Sequence, residues 1–456
     1  MAHTELELLM PAGSRNKMNL ALEYGADAVY LGPPLFSLRA RENHFGPEEL
    51  EQSIAEVHQR GKKVYMTLNI FARNRKLKSF SEAVTAYAKM KPDAFIMSDP
   101  GLASMARELA PEIPIHLSVQ ANCMNWQSVK FWKRSLGVER VILSRELSIA
   151  EITEIKQRVP DIELEAFVHG SICIAYSGRC LLSSYMDKRD ANQGVCDNSC
   201  REKYKIHQKE FYIEDVNSNP GELYEIDEDE HGTYILNAKD LCMIEHLDKL
   251  TEAGVISFKV EGRTKSEFYA AMVARSYRGA LDDVMNKRPY NKLWMEELFK
   301  LTHRGYHTAF MLEDPGASAQ NYKTSTQYQE TVKFLGYNEP RSSASLMSAT
   351  SVPGSVRISV KNKIEVGQEV EVVLPGGHLG VQEGAEAIRT RILEITTDNG
   401  ESKQQLHSGS GYANCRLASD QVFAKYAMMI SLPVKTILAT AEAGLRTSSG
   451  LSTHSS

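Results

Sequence analysis

The feature that most constrains this chain is an alternation repeated along its first part: a short apolar, β-branched run, an amphipathic stretch, then another apolar run. The runs fall at 8–12, 28–32, 64–69, 94–98, 115–120, 141–145, 164–169 and 257–261. Helix-like segments lie between them at 16–24, 47–59, 80–90, 101–109, 126–136 and 149–159, and the clearest helical spacing comes after the eighth run at 266–286. Short apolar strands alternating with helices predict parallel pairing, because parallel neighbours need crossover connections. Eight such units predict an α/β fold, a (β/α)8 (TIM-like) barrel over residues 1–300, in preference to an open doubly wound sheet.

The alternation breaks once, between the seventh and eighth strands. The insertion, 170–240, holds four of the seven cysteines and an acidic stretch at 224–231 that reads as a solvated loop. Long irregular insertions in compact domains are commonly functional. Beyond the barrel, 301–330 reads as a linker. Short alternating runs at 356–360, 369–373, 388–395 and 428–432 then predict a small C-terminal all-β domain over 331–440. The Ser/Thr-rich tail, 446–456, reads as disordered.

The 456 residues are 42% hydrophobic and 24% charged, the balance of a globular protein. No signal peptide and no membrane-spanning apolar run is evident, so a cytoplasmic location and no membrane partner are expected. Cysteines in such a chain do not suit a disulfide framework. Cys123, Cys242 and Cys415 are scattered and read as buried small hydrophobes. Cys173, Cys180, Cys196 and Cys200 form Cys-x6-Cys-x15-Cys-x3-Cys, with Gly170, Gly178 and Gly194 beside them. Four thiolates suit an iron–sulfur cluster or Zn²⁺. The loose first pair favours iron–sulfur over zinc, and a metal-free loop is the third alternative. The net charge of −5 argues against indiscriminate coating of nucleic acid but leaves room for a local basic face.

The residues around the first two cysteines, Glu165-Ala-Phe-Val-His-Gly170-Ser-Ile-Cys173-Ile-Ala-Tyr-Ser-Gly178-Arg-Cys180-Leu-Leu-Ser183, resemble the signature of the peptidase U32 (collagenase-like) family. Further motifs fit in order: Glu7-Leu-Leu-Met-Pro-Ala-Gly13, Tyr24-Gly-Ala-Asp-Ala-Val-Tyr30, Ser98-Asp-Pro-Gly101, Ser118-Val-Gln-Ala-Asn122, Leu143-Ser-Arg-Glu146 and Lys259-Val-Glu-Gly-Arg263. The resemblance covers nearly the whole chain. It implies a [4Fe-4S] cluster on Cys173, Cys180, Cys196 and Cys200. It also implies tRNA as partner, with oxygen-independent hydroxylation of the wobble uridine and prephenate as oxygen source. An electron donor and iron–sulfur assembly proteins are further implied partners. In some relatives the fourth ligand lies beyond the loop, a place Cys242 could take, but Cys196-Asp-Asn-Ser-Cys200-Arg is the arrangement expected of the tRNA-modifying branch.

In a barrel, chemistry belongs at the C-terminal strand ends. There the sequence places Asn69, Ser98, Asp99, Gln120, Asn122, Arg145, Glu146, His169, Glu261 and Arg263, with the cysteine loop beginning after the seventh strand. Any one of these equally suits helix capping or loop support. His169 reads as orienting the loop more than as a general base. Guanidinium groups bind carboxylates through paired hydrogen bonds, so Arg145, Arg179 and Arg263 are the expected anion-binding residues, with Glu261 beside them. Asn69, Gln120 and Asn122 are candidate substrate contacts. Arg73, Arg75 and Lys76, directly after the third strand, are candidate phosphate contacts. Gly376-Gly-His-Leu-Gly380 lacks the context of a phosphate loop and reads as a turn. Two rival readings remain. A peptidase is disfavoured by the lack of a Gly-x-Ser-x-Gly elbow or His-Glu-x-x-His helix. A non-enzymatic iron–sulfur or RNA-binding accessory protein is compatible with every motif.

Overall fold

The structure, a computed structural model, describes residues 6–38, 45–173, 175–180, 211–214, 223–229, 232–234, 238–313, 319, 332–339, 352–375 and 387–432. Seven consecutive strands lie side by side in parallel: β1 (Glu7–Pro11), β2 (Ala28–Leu31), β3 (Lys63–Leu68), β4 (Ala94–Met97), β5 (Ile115–Leu117), β6 (Arg140–Ile142) and β7 (Glu163–Gly170). A later strand, β12 (Val255–Val260), pairs in parallel with both β7 and β1 and closes an eight-stranded barrel. All eight expected runs are therefore strands. The fifth is shorter than expected, because Ser118 ends it: its hydroxyl accepts from Gln120 N at 3.3 Å and opens a 3₁₀ turn, Val119–Ala121.

Helices α1 (Arg15–Glu23), α2 (Pro47–Gln59), α3 (Leu77–Lys89), α4 (Pro100–Leu109), α5 (Trp126–Leu136) and α6 (Ile149–Arg158) join successive strands. Side-chain caps fix several starts. Asp99 accepts from Gly101 N and Leu102 N, Asn125 accepts from Ser128 N, and Ser148 with Glu151 forms a capping box. A short α7 (Leu247–Glu252) precedes β12, and α8 (Glu267–Met285), buried along most of its length, packs on α1 and β1. Strand residues such as Leu8, Met10, Val29 and Leu31 are fully buried, each contributing about 1.5–3 kcal/mol through burial. Among the described residues no helix is long and apolar enough to cross a membrane.

The lower interior is charged where barrels usually carry branched apolar residues. Arg140 Nη1 lies 2.5 Å from Glu7 Oε1 and 3.3 Å from Glu165 Oε2. Tyr65 donates to Glu7 Oε2 at 2.6 Å, Ser257 to Glu7 Oε1 at 2.8 Å, and Lys259 Nζ to Glu165 Oε1 at 2.8 Å. Burial pushes the Lys259 amine down from its ordinary value, and Glu165 opposes that shift.

Within the insertion, β8 (Phe211–Glu214), β9 (Leu223–Asp229) and β10 (Gly232–Tyr234) form an antiparallel sheet. The acidic stretch at 224–231 is thus largely a central strand, not a loop. Its alternation of Tyr224 and Ile226 with acidic residues is a strand pattern that the charge obscures. The insertion returns as β11 (Asp240–Cys242), antiparallel to β7 with Leu241 opposite Gly170 and Cys242 opposite His169. The two-residue strand β13 (Tyr306–His307) adds in parallel to β11. The segment expected as a linker at 301–330 therefore contains barrel structure: the first compact unit is Met1–Met295 with His303–Tyr328, and the second is Glu296–Thr302 with Gln329–Ser456.

From Phe334 onward the regular elements of the second unit, among the described residues, are all β-strands. Its antiparallel sheet runs β14 (Phe334–Tyr337), β22 (Met428–Ser431), β17 (Glu369–Val373), β18 (Ile388–Thr397), β21 (Tyr412–Leu417), β15 (Ser355–Ser359). The two-residue strand β19 (Ser402–Lys403) adds to β18, and β16 (Ile364–Glu365) pairs with β20 (Gln405–Leu406) in a separate two-stranded sheet. Its core includes Leu335, Val356, Ile358, Val370, Val372, Ile392, Ile395 and Cys415. The Gly376–Gly380 turn and the 446–456 tail lie outside the described residues.

Candidate functional site at the barrel mouth

Several strand-end polar residues hold the rim together. Asn69 Oδ1 accepts from Leu38 N at 3.1 Å, and the Asn69 carbonyl accepts from Ser98 Oγ at 3.2 Å. Asp99 caps α4 and also accepts from Ala72 N at 3.0 Å. That bond fixes the approach to the 3₁₀ turn Asn74–Lys76, where Arg73 and Arg75 are exposed and Lys76 is half-buried.

The first part of the cysteine loop is tied down at three places. Ser171 is held by two guanidinium groups: Arg145 Nη1 donates to its carbonyl at 3.0 Å and Arg304 Nη2 to its hydroxyl at 3.3 Å. Arg304 is itself paired with Asp240 at 2.6 Å. Burial would raise the Asp240 carboxyl, but Arg304 outweighs it and holds the group below its ordinary value. Glu146 Oε1 accepts from Ser177 N at 2.9 Å and Ser177 Oγ at 3.3 Å. Gly178 has φ +74° and presses on the 3₁₀ turn after β5, where an added Cβ would lie 2.1 Å from the Gln120 carbonyl oxygen. Only glycine fits that backbone and that gap. Asn122, at φ +51°, donates from Nδ2 to Ser144 Oγ at 3.3 Å beside the same turn.

Cys173 is exposed and Cys180 half-buried on this loop, with Tyr176 and Arg179 exposed between and beside them. Cys196 and Cys200 lie outside the described residues. Among the described residues no group of three or more His, Cys, Asp and Glu is arranged to hold a metal ion. Cys123, Cys242 and Cys415 are buried, and burial pushes each thiol up to about 12. Cys242 also lies 3.7 Å from the Tyr277 hydroxyl. These three fit the small-hydrophobe role expected of them, and Cys242 is a poor thiolate donor.

Inside the mouth, the Arg145 guanidinium sits 4.1 Å from the Phe167 ring centroid, with Nη2 3.8 Å from Glu261 Oε2. Arg263 Nη1 donates to Ser37 Oγ at 3.0 Å and Thr67 Oγ1 at 3.1 Å, and its carbonyl accepts from Lys17 Nζ at 3.1 Å. Arg263 is thereby built into the wall across β12, β3 and the loop after β2. His169 is buried among Tyr269, Tyr277 and Tyr306, and burial lowers its pKa to about 3. Tyr277 donates its hydroxyl proton to the Val168 carbonyl at 2.7 Å, so Nδ1–H of a neutral His169 is the donor in their 3.3 Å contact. Burial thus favours a neutral imidazole near neutral pH, enclosed at the end of β7.

The structure thus brings Arg145, Glu261, Gln120, Asn122, Cys173, Cys180 and Arg179 to one mouth. It sets Asn69 and Arg263 into the supporting wall, buries His169 behind it, and leaves Arg73, Arg75 and Lys76 on the rim. Sequence reasoning gave no part to Ser171, Ser177, Asp240 and Arg304, and it noted Glu146 without a role. Glu146 comes directly after Arg145 at a strand end, a usable signal. Arg304 lay in an expected linker and gave none.

A closed (β/α)8 barrel whose C-terminal mouth is crossed by a cysteine-bearing loop defines a class of barrel protein with its candidate chemistry at that mouth. The chain belongs to Peptidase family U32, whose sequence model matches residues 13–321. It is 44% identical over 82% of its length, and 87% of the relative, to tRNA hydroxylation protein P of Escherichia coli. It is 38% identical over 73% of its length, and 78% of the relative, to tRNA hydroxylation protein P1 of Bacillus subtilis. A protein named collagenase from Porphyromonas gingivalis is 30% identical over 68% of this chain and 74% of its own.

Proposed function

We propose that this chain hydroxylates tRNA, converting the wobble uridine to 5-hydroxyuridine without molecular oxygen and with prephenate as oxygen source. The observation that carries this reading is the 44% identity, spanning most of both chains, to a protein named for tRNA hydroxylation. The site supports it. Cys173 and Cys180 stand in contact with solvent on a loop anchored over the mouth, which suits the donor set of a [4Fe-4S] cluster completed by Cys196 and Cys200. The burial of Cys242, with its sulfur 3.7 Å from the Tyr277 hydroxyl, favours Cys200 as fourth ligand. When bound, such a cluster supplies a redox-active, electrophilic centre.

The chain's own residues do the binding. Arg179, exposed beside Cys180, and Arg145, whose Nε is buried with no hydrogen-bond partner among the described residues, offer guanidinium groups to the carboxylates of prephenate. Glu261 sets the orientation of Arg145. Arg73, Arg75 and Lys76 offer positive charge to RNA phosphates. The collagenase-named relative favours a peptidase as the second reading. Against it, the raised thiols of Cys123, Cys242 and Cys415 make poor nucleophiles.

The test is mass spectrometry of tRNA nucleosides from a strain deleted for this protein, grown without oxygen and lacking a second copy. Loss of 5-hydroxyuridine derivatives is expected, restored by the wild-type chain and by Cys242→Ala but not by Cys173→Ser. Unchanged nucleosides in the deletion strain would defeat the proposal.

A further inference from the structure

We infer that Tyr176 is the stacking platform for a nucleobase splayed out of an RNA loop at the barrel mouth. The inference rests on the proposed tRNA reading and assigns a residue to it. Enzymes that act on a base inside a folded nucleic acid take it out of its stack and hold it against an aromatic face. Among the described aromatic residues at or near the strand ends, Tyr30, Phe167, Tyr269 and Tyr277 are buried and Phe71 and Tyr306 are half-buried. Tyr176 is 58% exposed.

Its backbone is nevertheless fixed. The Tyr176 carbonyl accepts from Arg179 N at 3.0 Å, Ser177 is bound to Glu146 through both its amide and its hydroxyl, and Gly178 is pressed against Gln120. A ring on an anchored turn has only two side-chain torsions to order when a base arrives. Tyr176 lies in the segment between Cys173 and Cys180, so a base stacked on it is held beside the thiols that form the proposed centre. The chemistry recognised is one unstacked base of an RNA loop, not a duplex.

The test measures the affinity of an unmodified tRNA transcript for the full-length, iron-loaded protein and its Tyr176→Phe, Tyr176→Leu and Tyr176→Ala variants. Iron content and the visible absorption spectrum are recorded for each. Tyr176→Phe is expected to bind within about twofold of wild type, and Tyr176→Ala to bind about 5- to 150-fold more weakly with its iron unchanged. Tyr176→Leu should also lose affinity, because apolar bulk does not replace a ring face. Equal binding by Tyr176→Ala overturns the inference and leaves the tRNA reading intact. Loss of iron in parallel with affinity, in both Leu and Ala variants, assigns Tyr176 to loop structure and overturns it as well. Wild-type protein that binds no tRNA overturns both.

Discussion

At the lower end of the barrel, Arg140 and Lys259 face Glu7 and Glu165, and both oxygens of each carboxylate are engaged within the barrel. At the mouth, Arg145 and Glu146 are adjacent in sequence and reach outward to the cysteine loop, while Arg145 Nε and Glu146 Oε2 are buried with no hydrogen-bond partner among the described residues. The same residue types thus serve two ends. Saturated carboxylates tie the lower strands together, and carboxylate and guanidinium groups with spare atoms hold the loop. Unsatisfied buried polar atoms are rare in proteins and concentrate where function requires them.

The comparison is broken most severely from below. Glu165→Ala leaves Lys259 and Arg140 buried with an oxyanion missing, and the unfolding free energy measured in urea should fall by about 3–5 kcal/mol. A loss under about 1 kcal/mol would show that the lower network is not locked. From above, Glu146→Ala should leave the barrel folded but free Ser177. Proteolytic cleavage within 171–210 should then accelerate roughly 10- to 100-fold, as expected for losing hydrogen bonds to a charged group. Gly178→Ala should act in the same direction by forcing the loop off Gln120. An unchanged cleavage rate in both variants would remove the loop-holding role from the mouth.

The smallest effect sharpens the boundary between the two ends. His169, with its folded pKa lowered to about 3, takes up a proton more readily when unfolded. Its contribution is therefore fully present above pH 6.5 and is lost as pH falls toward 3. Between pH 7 and pH 5 that loss is about 2 kcal/mol. His116, His303 and His307 are also lowered by burial and add to the wild-type slope. The measurement is thus the difference in urea stability at the two pH values between wild type and His169→Gln. Identical slopes would show that burial does not lower the His169 pKa in the folded protein.

The barrel strands were legible because each is a continuous apolar run, a signal carried locally by the residues themselves. Strand β9 was not, since its acidic residues hide an alternation that only pairing with β8 and β10 makes plain. Strand β13 is two residues long and exists because β11 lies beside it. Residue type alone also failed to separate Arg145 from Arg263: both sit at strand ends, yet Arg263 is braced by Ser37 and Thr67 from distant segments. The cysteines could be grouped by spacing. The hold that Glu146, Arg304 and Gly178 place on their loop arises from contacts between distant segments and so is written in no single stretch of sequence.

The pairing of β11 with the end of β7 sets the two stems of the insertion side by side, while β12 closes the barrel directly against β7. Material between the stems is therefore an excursion from an already complete wall. Closing a longer excursion adds only about 0.6 kcal/mol per doubling of its length. A change of length between the stems is therefore cheap for the barrel, so the wall that carries the mouth and the segment that crosses it are separable in stability.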